Sequence, residues 1–129
     1  MHKSFLTLGA LFGALAITLG AFGAHAMKKM VSAEAITVFQ TGVQYQMYHA
    51  LALLLVGILQ ERLQKTWIKW AGYLFCLGIV FFSGSLYVIG LMNESAVPVL
   101  IAILTPAGGL FFIAGWVCLL TAVIAKNQS

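Results

Sequence analysis

Charge is confined to five short clusters in this chain, and the spaces between them dictate its architecture. Only ten of the 129 residues are Lys, Arg, Asp or Glu. They are Lys3, then Lys28, Lys29 and Glu34, then Glu61, Arg62, Lys65 and Lys69, then Glu94, and finally Lys126. The charge-free runs between them cover 4–27, 35–60, 70–93 and 95–125. Each is at least as long as the ~20 apolar residues an α-helix needs to cross a hydrocarbon layer about 30 Å thick. The pattern predicts an all-α integral membrane bundle of four transmembrane helices, forming one transmembrane domain over residues 1–129.

Composition closes the alternatives. Hydrophobic residues make up 62% of the chain, above the ~45–50% usual in soluble domains, and so short a chain has no core large enough to hide the four runs. The net charge of +4 is no nucleic-acid footprint, because its lysines flank apolar runs, where they meet lipid head groups. Cys76 and Cys118 each stand alone in an apolar run, so they read as small buried hydrophobes, and neither a disulfide nor a metal site is expected. The start of the chain, with Lys3, an apolar stretch and Ala24-His25-Ala26, has the layout of a secretory signal. Its apolar run exceeds the usual ~7–15-residue signal core, and a retained first membrane helix is the expectation.

That first helix is expected over about 4–26. Gly9, Gly13, Ala16, Gly20 and Gly23 recur in alternating steps of four and three, which places them on one narrow face opposite Leu11, Leu15 and Phe22. A small-residue seam lets a second backbone approach closely in lipid, so these glycines are assigned to helix packing. Residues 27–41 are mixed polar and apolar and read as an interfacial amphipathic segment, with Gly42 as the break before a second helix over 43–60. There Met47, Leu51, Leu54 and Ile58 share the lipid face, with Tyr45, His49, Ala52 and Val56 opposite. Trp67 and Trp70 form an aromatic belt at the start of a third helix over 67–91. Pro98 opens the fourth, over 98–125, and a kink is expected at Pro106.

Four crossings place Lys3, Arg62, Lys65, Lys69 and Lys126 on one side and Lys28 and Lys29 on the other. The asymmetry favours a multi-pass protein of the cell membrane with both termini cytoplasmic.

Few side chains could carry chemistry. His49 is an ionisable group several turns inside a membrane helix, which makes it a functional-site candidate. Its structural alternative is a neutral ring bonded to Ser83, Thr105 or a carbonyl freed by Pro106. Tyr45, His49, Ser83 and Thr105 together form the candidate polar intramembrane site. His25 is expected at the far interface, at a depth about ten ångströms from His49 by the helical rise of ~1.5 Å per residue, so the two do not suit one haem iron. Glu34, Glu61 and Glu94 fall at predicted helix ends. No carboxylate then stands beside His49 to build a Ser-His-Asp arrangement or a proton-coupled exporter.

The stretches GAFGAHA at 20–26, TGVQYQMYHALALL at 41–54, FSGSLY at 82–87, TPAGGL at 105–110 and AGW at 114–116 follow one another at helix-compatible spacing. Together they resemble a widespread family of small membrane proteins, domain of unknown function 423, which has a relative in animal mitochondria. The resemblance covers nearly the whole chain. It implies four membrane helices and no particular activity, catalytic residue or cofactor.

The residues thus point to a non-enzymatic membrane component that acts through contacts with the lipid bilayer, with itself or with other membrane proteins. The alternative is a small channel or carrier with a polar pocket around His49. A water-filled vestibule reaching His49 would favour the second, and a dry packed centre the first.

Overall fold

The computed structural model describes residues 3–63, 65–93 and 96–125. Glu94, Ser95, Lys126 and the side chain of Lys65 lie outside what is described. The elements are α1 (Lys3–His25), a 3₁₀ turn (Ala26–Lys29), α2 (Ala33–Leu59), α3 (Lys65–Gly78), a π-helical turn (Ile79–Ser83), α4 (Gly84–Leu91) and α5 (Val99–Ala125). There is no strand among the described residues. The third crossing is α3, the π turn and α4 in sequence, and four helical spans are long and apolar enough to cross a membrane.

The interfacial segment expected over 27–41 is corrected. Only the 3₁₀ turn and the residues up to Ser32 connect the first two spans, and α2 begins at Ala33. Ser32 caps it, its hydroxyl accepting from the Ala35 N–H at 3.1 Å, and Glu34 stands in the first turn, where a carboxylate complements the helix dipole. The polar residues that suggested a surface segment are absorbed by backbone. Thr37 and Thr41 donate to the carbonyls of Ala33 and Thr37, and Gln40 donates to Gly20 O across to α1 at 3.0 Å. Gly42 is no break either, because it is where α2 and the third crossing meet. A Cβ there would lie 2.9 Å from the Tyr87 ring and 3.2 Å from Ser83 O.

α2 and the third crossing form the centre, with α1 laid on α2 and α5 laid on α3 and the π turn. Gly9 and Gly23 on α1 are buried. A Cβ at Gly9 would meet Ala50 O and Leu54 at 2.9 Å, and one at Gly23 would meet Gln40 and Phe39. Gly20 faces Val43, and Gly13 has more room, its nearest neighbour being Ala50 Cβ at 3.9 Å. Leu54 therefore belongs to the α1 contact rather than to the lipid face. Leu11, Leu15 and Phe22 on the other side of α1 are exposed.

The π turn has no counterpart in the sequence reading. It brings the backbone of Phe82 so close to Gly108 that a Cβ at that position would run into Phe82 N, so a glycine is required for α5 to pass. α5 runs unbroken through Pro106. At the far end of the bundle the turns are tied together. Asn93, with φ of 52° after the last turn of α4, accepts from the Ser32 N–H through Oδ1 at 2.8 Å, a left-handed conformation asparagine tolerates well.

Candidate functional site

Three side chains of α2, Gln40, Gln46 and His49, tie it to the other three spans. Gln40 reaches Gly20 O on α1. Gln46, at the midpoint of α2, donates to Phe12 O on α1 at 2.8 Å and accepts from the Tyr87 hydroxyl of α4 at 2.5 Å. His49 is tied to α5, accepting at Nε2 from the Trp116 indole N–H at 3.0 Å. Its Nδ1 lies 2.7 Å from Tyr45 O one turn back. A buried polar group without a partner costs roughly 1–3 kcal/mol, and water is absent from hydrocarbon, so this pairing is what allows such residues at that depth.

The two His49 contacts define its proton. A carbonyl only accepts and an indole N–H only donates, so Nδ1 carries the hydrogen, Nε2 is bare, and the ring is neutral. The imidazole lies flat on Phe112, with centroids 3.6 Å apart and planes inclined by 10°. Phe75 and Trp116 close round it, leaving it 4% exposed.

Of the four residues expected to share a polar site, only Tyr45 and His49 are together. Ser83 is fully buried and donates to Gly42 O at 2.7 Å. Thr105 pairs with Ser85 at 2.5 Å, linking α5 to α4. Neither bonds His49, whose partners are Tyr45 O and Trp116, and no carbonyl beside Pro106 takes part. Gln46, Tyr87, Phe112 and Trp116 were missed. Gln46 stands three residues before His49, so a wider interior face on α2 would have included it. Trp116 carries no local signal, because its partner lies on another span.

Beside the imidazole, a groove of about 600 Å³ opens between α2 and α5. Its walls are Tyr45, Tyr48, His49, Phe82, Phe112, Ile113 and Trp116, with Gly109 as floor. Tyr48, Ile113 and Trp116 are about half exposed, so the groove faces sideways into the bilayer near mid-span. Tyr45 and Tyr48 are far from the interfaces where membrane tyrosines concentrate. The π turn sets Phe82 into this wall, with its ring 4.7 Å from that of Tyr45.

Residues 19–109 match the family described as Protein of unknown function (DUF423), the family that the sequence motifs resemble. A UPF0382 membrane protein of Staphylococcus haemolyticus is 44% identical over 118 residues, covering 92% of this chain and 93% of its own length. UPF0382 membrane protein YwdK of Bacillus subtilis is 41% identical over 95% of this chain and 97% of its own. UPF0382 inner membrane protein YgdD of Escherichia coli K12 is 39% identical over 95% of this chain and 91% of its own. No solved structure matches the chain.

Proposed function

The chain belongs to the DUF423 family of membrane proteins, and from that premise we propose that it is a non-enzymatic membrane component acting through helix–helix contacts, with the groove between α2 and α5 as its working surface. One observation carries the reading. Gln40, Gln46 and His49 each hold their hydrogen bonds within the bundle, and the groove that His49 lines is otherwise walled by aromatic side chains, Ile113 and Gly109, with the Tyr45 and Tyr48 phenols as its other polar groups. A solute path is lined by polar groups free to replace a hydration shell. An approaching transmembrane helix instead needs close van der Waals contact and small residues to pack against, which Gly109 between Tyr48 and Ile113 offers. The partner is a transmembrane helix of another membrane protein or of a second copy.

A photo-crosslinking residue at Tyr48, activated in intact membranes, tests this. The expected product is a protein adduct of one defined mass, lost when Gly109→Leu fills the groove floor and absent with the crosslinker at Leu100. Lipid adducts alone would overturn the reading. The carrier alternative has one observation in its favour, namely that the groove reaches His49. Solute flux in proteoliposomes above that of protein-free vesicles, abolished by Gly109→Leu, would favour it.

A further inference from the structure

A second cleft, of about 470 Å³, lies between the starts of α1 and α3 and is lined by Ser4, Phe5, Leu8, Gln60, Lys69, Tyr73 and Cys76. Its residues are ordered by depth. α1 and α3 both run inward from the same membrane face, so Ser4 and Lys69 are outermost, Phe5 and Tyr73 come next, and Leu8 and Cys76 are deepest. At ~1.5 Å per residue the cleft descends roughly 6–10 Å from polar to apolar walls. Exposed Trp70 stands beside it, its ring 6.0 Å from that of Tyr73, which sets the mouth at head-group level.

One residue lining this cleft carries an unexplained polar atom. Gln60, just beyond the end of α2, is 5% exposed, and its side-chain carbonyl oxygen is buried with no hydrogen-bond partner. That is the only buried side-chain polar atom without a partner among the described residues. An orphaned acceptor beside an exposed lysine calls for a ligand with a negative charge for Lys69 and a neutral hydroxyl donor for Gln60. The apolar floor below them calls for a hydrocarbon chain on the same ligand.

We propose that this cleft binds an anionic glycerophospholipid with a hydroxylated head group. Its phosphate meets Lys69 and the Ser4 hydroxyl, a head-group hydroxyl donates to Gln60 Oε1, and an acyl chain lies along Phe5, Leu8 and Cys76. Phosphatidylglycerol has this chemistry. Phosphatidylethanolamine fits less well, because its ammonium would be set close to Lys69. The proposal is independent of the groove between α2 and α5, on the opposite side of the bundle's central helices.

The test is thermal unfolding and native mass spectrometry of the full chain in detergent, titrated with phosphatidylglycerol, phosphatidylethanolamine, phosphatidylcholine or glycerol 3-phosphate. Phosphatidylglycerol should raise the melting temperature and remain bound, with the other two lipids weaker by on the order of tenfold. Lys69→Gln, on an exposed side chain, should abolish that preference without changing the lipid-free melting temperature. Gln60→Leu separates ligand binding from structure. Removing an orphaned acceptor should leave the lipid-free protein equally or more stable, while the shift with phosphatidylglycerol shrinks. Equal shifts with all three lipids would overturn the proposal. So would binding of glycerol 3-phosphate as tight as that of the lipid, or a Gln60→Leu protein that loses stability and keeps its lipid preference.

Discussion

The Trp116 indole N–H donates to Nε2 of His49 at 3.0 Å, and this one bond sets the tautomer of an imidazole placed well inside the membrane. With Nδ1 turned to Tyr45 O, both ring nitrogens are occupied and the ring serves as a bridge between α2 and α5. The same pair forms the inner wall of the groove. Its bonding and its position therefore bear on whether the groove handles solutes or helices.

Nitrogen NMR on histidine-labelled protein in detergent should show a protonated Nδ1 and a bare, hydrogen-bonded Nε2 for His49. Trp116→Phe should move the Nε2 resonance and leave Nδ1 in place. A ring protonated at Nε2 would be incompatible with the Trp116 bond.

His49→Leu should lower stability by roughly 1–3 kcal/mol, because it strands the Trp116 N–H and removes the ring stacked on Phe112. Hydrogen bonds between membrane helices average only ~0.6 kcal/mol, so lost packing should supply much of the effect. His49→Gln keeps a donor and an acceptor and should fall at the low end of that range. A double-mutant cycle of His49→Leu with Trp116→Phe should give a coupling of at least about 0.5 kcal/mol in reversible unfolding. Additive effects would mean that the bond contributes nothing.

Much of the fold was legible because membrane spans are written in charge and length. The four charge-free runs locate four crossings, and the glycine steps on α1 locate the face laid on α2. The boundary of α2 was misplaced because Thr37, Gln40 and Thr41 look like surface residues in a linear reading. Their hydroxyls and amide are satisfied by carbonyls one turn back or on α1, which depends on the folded helix pair. The site was less legible for the same reason. Tyr45 and His49 lie one turn apart on one helix, whereas the partners of His49, Ser83 and Thr105 are chosen by how three spans cross. The π turn sets Phe82 against Gly108, a long-range contact with no local pattern.

Glycine substitutions should separate by the room at each position. Gly108→Ala forces a methyl group into Phe82 N and should cost about 1–3 kcal/mol or prevent folding. Gly13→Ala meets nothing closer than 3.9 Å and should be neutral or stabilise by up to about 1 kcal/mol, since glycine weakens a helix. Gly84→Ala, with nothing within 4 Å, should behave the same way. Melting temperatures in detergent that ranked Gly13→Ala below Gly108→Ala would contradict the packing described.

Orientation is tested by accessibility. In a protein lacking Cys76 and Cys118, a cysteine at exposed Met30 should react with an impermeant thiol reagent in intact cells, and one at exposed Thr66 should not. The reason is that Lys3, Arg62, Lys65, Lys69 and Lys126 outnumber Lys28 and Lys29, and the side richer in Lys and Arg is expected in the cytoplasm. The reverse labelling pattern would place both termini outside.

Gln46 offers the sharpest test of the polar lattice. Gln46→Leu leaves the Tyr87 hydroxyl without its acceptor, whereas Phe12 O keeps its place in the α1 backbone ladder. Most of the loss should therefore arise at Tyr87, at the low end of roughly 1–3 kcal/mol, because its hydroxyl is only partly buried and Ser83 lies within its reach. Replacing both partners by apolar groups of similar shape is nearly neutral by the same reasoning. Gln46→Leu combined with Tyr87→Phe should thus be more stable than Gln46→Leu alone, although it carries one more substitution. Equilibrium unfolding of the three variants in detergent decides the matter. A double variant less stable than Gln46→Leu would mean that the Tyr87 hydroxyl has another acceptor and that Gln46 is not the residue joining α4 to α2.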